Sequence, residues 1–80
     1  MGKLLSLVNL KTGERGKIDH LLSDSRSRKK LYDLGLREGS EIEKVSDIIL
    51  GGPVTVRILQ TRIAIGRRLA DTIIVKKELD

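Results

Sequence analysis

Residues able to do chemistry are few in this chain, and they are scattered. His20 is the only histidine and there is no cysteine. General acid–base or nucleophilic catalysis needs a base within reach of a nucleophile or of a second titratable group. No serine, histidine and acid arrangement and no closely spaced carboxylate pair accompanies His20, so the chain is not expected to be an enzyme. If Glu14 to Leu22 is a strand, His20 shares a face with Ile18 and should sit half-buried at the rim of a sheet. The absence of thiolates excludes zinc ribbons and iron–sulfur clusters. An imidazole–carboxylate metal site would have to be assembled from His20 with Asp19, Glu14 or a second subunit. Glu41 and Glu43 would share one side of a strand, the usual spacing of solvated charge. No resident cofactor is expected, and His20 is only a weak candidate ligand for a ferrous ion.

Phosphate chemistry finds glycines in the wrong setting. Gly51-Gly52-Pro53 lacks the Lys and Ser or Thr of a P-loop, and Pro53 removes one of the N–H groups that would cradle an anion. It reads as a turn. The one local concentration of charge is Arg26, Arg28, Lys29 and Lys30, bracketed by Asp24 and Asp33. Its plain reading is a solvated helix face; its functional reading is docking onto an acidic protein or an anionic surface. The net charge of +5 is otherwise spread along the chain among acidic residues. Tyr32 is the only aromatic residue. Single-strand nucleic-acid platforms and polyproline grooves are both built from aromatic side chains, so neither ligand is expected.

These residues have to be positioned by a small fold. Eighty residues make one domain, 1–80, with room for a single core. Hydrophobic residues make up 39% of the chain, almost all Leu, Ile and Val, which is enough for a folded domain. No stretch approaches the roughly 18 apolar residues of a membrane span, and the N-terminus does not read as a signal peptide. A cytoplasmic location is expected.

Turn signals divide the chain into about six pieces. An apolar opening segment, Leu4 to Leu10, is followed after Lys11-Thr12-Gly13 by a strand-like run, Arg15 to Leu22. Ser23-Asp24-Ser25 offers side-chain oxygens to a helix start, and a polar helix is predicted from Asp24 to Leu34. Gly35 suits the left-handed position just past that helix, with Leu36 placed to touch Leu31. Arg37-Glu38-Gly39-Ser40 forms a turn. Glu41 to Leu50 fits either a helix, from the three-residue spacing of Ile42, Val45 and Ile48 and a Ser40–Glu43 capping box, or a bulged strand rich in β-branched residues. Val54, Val56 and Ile58, then Ile63 and Ile65, alternate as in a hairpin. A two-residue link at Gln60-Thr61 would set Ile58 opposite Ile63 and Val56 opposite Ile65. One helical turn, Arg67 to Asp71, and a last strand, Thr72 to Lys76, complete the pattern. The fold class expected is mainly β: about five short strands with one inserted helix near 24–34, most economically closed as a small barrel.

Taken in order, Leu31-Tyr32-Asp33-Leu34-Gly35-Leu36-Arg37-Glu38-Gly39-Ser40-Glu41-Ile42, Gly52-Pro53-Val54, Ile63-Ala64-Ile65, Leu69-Ala70 and Ile73-Ile74-Val75 resemble the FeoA family, the small accessory proteins of bacterial ferrous iron uptake. Leu10, Gly13 and Ile18 fit as well, so the likeness runs from Leu4 to Lys76. It implies an SH3-like β-barrel with an inserted helix and makes Glu41 to Leu50 a strand. It also implies a partner, the membrane transporter FeoB with its cytosolic G domain, and an indirect association with the inner face of the membrane. The family often has Pro where this chain has Glu38, and Gly in the hairpin where it has Gln60-Thr61. The same barrel resembles the C-terminal domain of iron- and manganese-dependent repressors. Those carry a helix-turn-helix domain ahead of it, for which this chain has no room. The function expected is therefore a non-enzymatic module that modulates transporter assembly or activity. Its expected contact residues are Arg26, Arg28, Lys29 and Lys30 on the helix and Leu36, Arg37, Glu38 and Gly39 in the turn. A transition-metal sensor or chaperone is the alternative, and an RNA-associated small barrel a third reading.

Overall fold

A computed structural model describes residues 2–47 and 51–78. The elements run β1 (Gly2–Ser6), one 3₁₀ turn (Leu7–Asn9), β2 (Arg15–Leu21), α1 (Ser25–Asp33), β3 (Glu41–Asp47), β4 (Val54–Ile58), β5 (Thr61–Ile65), α2 (Arg67–Ala70) and β6 (Ile73–Glu78). Among the described residues the strands form one sheet of order β1-β6-β2-β3-β4-β5, antiparallel at every ladder. The five expected strands are present and β1 adds a sixth. The opening apolar segment divides because the Ser6 hydroxyl accepts from the Val8 N–H at 3.2 Å, starting a 3₁₀ turn. Leu7 and Leu10 then point into the core, while the residues before them pair along β6 from Gly2↔Glu78 to Ser6↔Ile74.

The sheet curls around one apolar core. Val54, Val56 and Ile58 of β4, Ile73 and Val75 of β6, Ile18 and Leu21 of β2 and Ile65 of β5 meet Leu31 of α1 and Ala70 of α2 there. Helix α1 starts where the Asp24 carboxylate accepts from the Ser27 N–H at 2.8 Å. That bond, aimed at the charged form, holds the Asp24 carboxyl below its usual range. The helix ends as its glycine and leucines predict. Gly35 takes φ 90, the Leu36 N–H donates to the Leu31 carbonyl at 2.9 Å and the Gly35 N–H to the Tyr32 carbonyl at 2.9 Å. Both leucines are buried, which is the apolar contact that seals this kind of stop.

Two bulges interrupt the two central strands, β2 and β3. In β3 the register with β4 shifts between Lys44 and Ser46, so Val45 is the extra residue and the segment is the bulged strand, not a helix. Residues 48–50, the end of that segment, lie outside the described residues. In β2 the register with β6 shifts between Ile18 and His20, leaving Asp19 unmatched. The hairpin β4–β5 turns at Leu59-Gln60, not at Gln60-Thr61. Val56 therefore lies opposite Ile63, Val54 opposite Ile65, and Ile58 opposite Thr61. The register differs from the expected one by two residues, so each side chain keeps its face.

Among the described residues Lys44 is the one buried charged side chain, 1% exposed. It follows Ile42 by two positions on β3 and so shares the inward face. Its ammonium donates to the carbonyls of Val8 at 2.9 Å and Leu10 at 2.6 Å. It also pairs with the Asp47 carboxylate at 2.8 Å. All three donors of the ammonium are thereby used. Asp47 in turn pairs with Arg67 of α2, whose Nε donates to the Gly52 carbonyl at 3.3 Å. One charge network thus ties the 3₁₀ turn, β3, the turn before β4 and α2 together.

Candidate interaction surface

The exposed face of α1 carries Arg26, Lys29, Lys30 and Asp33, spaced by three and four as one stripe. Lys29 and Asp33 form an exposed pair at 3.4 Å. Arg28 lies at the edge of the stripe, half-buried, and its guanidinium donates to the Ser23 carbonyl at 3.1 Å. Arg26 and Lys30 extend into solvent. Beyond the helix stop, the Arg37 guanidinium sits 5.4 Å from the centroid of the Tyr32 ring. The Tyr32 hydroxyl donates to Glu38 at 2.8 Å. This bond pushes the phenol above its usual range, since ionising it would put two negative charges together. Glu38 is held below the usual carboxylate range, first by its own backbone N–H and then by Tyr32. The only aromatic ring of the chain is therefore clamped between a cation and a carboxylate beside the basic stripe.

Of the expected contact residues, Arg26, Lys29, Lys30, Arg37 and Glu38 come together on this surface. Leu36 does not. It is wholly buried, because the helix stop that places it against Leu31 also drives it into the core, and its side chain presents nothing on this surface. Gly39 is exposed, but its φ of 87 and the bond from its N–H to the Ile18 carbonyl at 2.7 Å give it a structural task.

His20 is half-buried as expected but does not share the face of Ile18. The bulge at Asp19 puts Leu21, not His20, on the buried face after Ile18. The imidazole is 45% exposed, with Nδ1 2.7 Å from the Asp19 carboxylate. Among the described residues no group of three or more His, Cys, Asp or Glu could hold a metal ion. No helix there is long and apolar enough to cross a membrane.

Two features escape the sequence reading. A groove of about 640 Å³ crosses the outer face of the sheet and ends at Leu59. Leu59 itself holds φ 55 and is 89% exposed. Once the turn is placed, the sequence signal for it is plain: a leucine where a tight hairpin wants Gly, Asn or Asp.

A curled antiparallel sheet of six short strands with one helix inserted after β2 defines a small SH3-like domain. The class is shared by a zinc-complexed FeoA of Stenotrophomonas maltophilia, described as a prokaryotic SH3-domain protein. It is 21% identical over 89% of this chain and 88% of its own, with a TM-score of 0.76. A manganese-dependent transcriptional repressor contains the same fold, with a TM-score of 0.86 at 18% identity, covering 98% of this chain and 44% of that one. The family model for the FeoA domain matches residues 5–77, and the chain belongs to the FeoA family. A crystal structure of an iron uptake regulatory protein, FeoA, is similar over 95% of this chain and 99% of its own, at 28% identity and a TM-score of 0.85. No curated protein sequence matches significantly. FeoA-like proteins are associated with ferrous iron transport.

Proposed function

We propose that this chain is a non-enzymatic accessory module of ferrous iron uptake. It works in the cytoplasm, binds the cytosolic part of a FeoB-type transporter and modulates that transporter's assembly or activity. Association with the membrane is through this partner. The observation that carries the reading is family membership along nearly the whole chain, residues 5–77. The Stenotrophomonas maltophilia relative is described as a candidate activating factor of bacterial ferrous iron transport, which agrees with it. The α1 stripe and the Tyr32–Arg37–Glu38 cluster offer a contact of mixed character, with cations to steer the encounter and one rigid ring to pack.

The test replaces Arg26, Lys29 and Lys30 together by Glu and measures binding to the transporter's cytosolic domain. Affinity should fall, and the difference should shrink as salt rises toward the physiological range. Unchanged affinity at both low and physiological salt would remove the α1 stripe from the reading. Anaerobic calorimetry with ferrous ion separates the module from a metal sensor. A saturable heat that His20→Ala abolishes would favour the sensor.

A further inference from the structure

The outer face of the sheet breaks three local rules within a few residues. Lys17 of β2 lies directly opposite Lys76 of β6, and Arg57 of β4 directly opposite Arg62 of β5. Like charges in that position destabilise a ladder. The third is Leu59, at φ 55 and 89% exposed in the first position of a two-residue turn. Leucine is unsuited to that place twice over, by backbone conformation and by contact with water.

Lys17, Lys76, Arg57 and Leu59 border one groove. Its outward side chains include Arg15, Lys17, Glu41, Glu43, Arg57 and Lys76, with Leu59 at one end. Glu43 is shared between Arg57 at 3.3 Å and Arg15 at 4.0 Å, and the Arg15 side chain is 80% exposed. One carboxylate thus serves two guanidinium groups, and the groove keeps an excess of positive charge. Glu41 lies opposite Lys17 and Glu43 opposite Arg57, so the fold answers each like-charge pair with one carboxylate only, and the surplus cations and the exposed Leu59 are left for something outside it to meet.

We infer that this groove is a second interaction surface, which takes an extended acidic segment of a partner protein with an apolar side chain to cover Leu59. Discrete carboxylates along an extended chain can settle beside Arg15, Arg57, Lys17 and Lys76 while passing Glu41 and Glu43. A continuous phosphate surface, whether lipid or nucleic acid, would be repelled by those two glutamates. The single aromatic ring, at the end of α1, offers no stacking platform in the groove. The surface is separate from the α1 stripe and does not depend on its role.

The experiment titrates the isotope-labelled full chain with a short blocked peptide of alternating Asp, Leu and Glu, and follows backbone amides by nuclear magnetic resonance. Saturable shifts are expected at Arg15, Lys17, Arg57, Leu59 and Lys76, and reversal of the α1 charges should leave them unchanged. Leu59→Gly should weaken binding about tenfold, the loss of one buried leucine contact, without lowering the thermal midpoint, since glycine accepts the positive φ. Arg15→Ala combined with Lys76→Ala should weaken it at least as much. No saturable shift up to ~1 mM peptide overturns the inference. So does an equal response to a peptide with Lys in place of its acids, a footprint on α1, or tighter binding at the same residues by phosphatidylglycerol vesicles or a single-stranded RNA oligomer.

Discussion

Replacing Lys44 with Met removes the ammonium that links the 3₁₀ turn to β3. Methionine matches the aliphatic stem in volume, so packing loss is small and the change isolates the charge. Exchanging a buried ion pair for apolar residues is often neutral, because the cost of burying the charges disappears with them. That compensation fails here, since the acceptors remain. The carbonyls of Val8 and Leu10 cannot be mutated away, and both face Lys44 Nζ within hydrogen-bond distance, at 2.9 and 2.6 Å. An unsatisfied buried acceptor costs about 1–3 kcal/mol; the bond to Leu10 is buried and that to Val8 part-buried, so the two together give roughly 2–5 kcal/mol. Removing one partner of a buried pair typically costs about 3–5 kcal/mol, which is consistent. A domain of 80 residues has about 4–12 kcal/mol in total, so the variant should lose a large share of its stability. Urea denaturation followed by circular dichroism reads this directly: at a slope of about 1–1.5 kcal/mol per molar, a loss of about 3–5 kcal/mol drops the midpoint by roughly 2–5 M. Lys44→Gln, which keeps two N–H donors, should fall between. A loss below about 1 kcal/mol in Lys44→Met would mean that burial of the ammonium costs as much as its bonds return, and would refute the reasoning.

The same network sets an acid limit. The bond from Lys44, then the charges of Lys44 and Arg67, hold the Asp47 carboxyl below its usual range. Its folded pKa lies below its unfolded one, so its contribution is present above about pH 4 and is lost as pH falls through the folded value. Stability of the unaltered chain should decline there, and Lys44→Met should decline less steeply; equal slopes would break the link. Gly16→Ala would place a Cβ 2.5 Å from Val75 Cγ1 and 2.7 Å from the Lys76 carbonyl oxygen, which β2 and β6 cannot both yield. A cost of about 1–3 kcal/mol in denaturant unfolding is expected. Because Tyr32 is the only aromatic residue, phenolate absorbance titrates it alone. Its midpoint should lie above the usual tyrosine value and move down in Glu38→Gln, and no movement would contradict the Tyr32–Glu38 bond.

What can be read from the sequence follows the range of the interactions involved. Helix α1 and its stop are local, written in Asp24, Gly35 and the Leu31–Leu36 pair within a few residues, and they form as expected. The faces of β4 and β5 are equally legible, because alternation survives a register error of two residues. Bulges are not local. One unmatched residue at Asp19 reverses the period-two count, which is why His20 leaves the face of Ile18. Leu36 illustrates a different limit: a residue in a characteristic motif is as readily there for the core as for a partner. Lys44 was visible in principle, two positions after Ile42 on the same face. Its acceptors, however, are backbone carbonyls more than thirty residues away, and only the folded chain brings them in. The groove needs four strands side by side before its charges can be added up.

Strand order also dictates when this domain can come into being during synthesis. In the sheet β6 stands between β1 and β2, so the first strand made finds its partner only in the last. While the chain is still growing, β1 with Leu4 and Leu5 has nothing to pair with, and β2 lacks one of its two neighbours. Folding is therefore deferred until β6 emerges from the ribosome and then closes both ladders together. A chain stopped before Ile73 lacks both ladders of β6 and the core residues Ile73 and Val75, and leaves β1 without a partner strand, a form for chaperones and proteases to find.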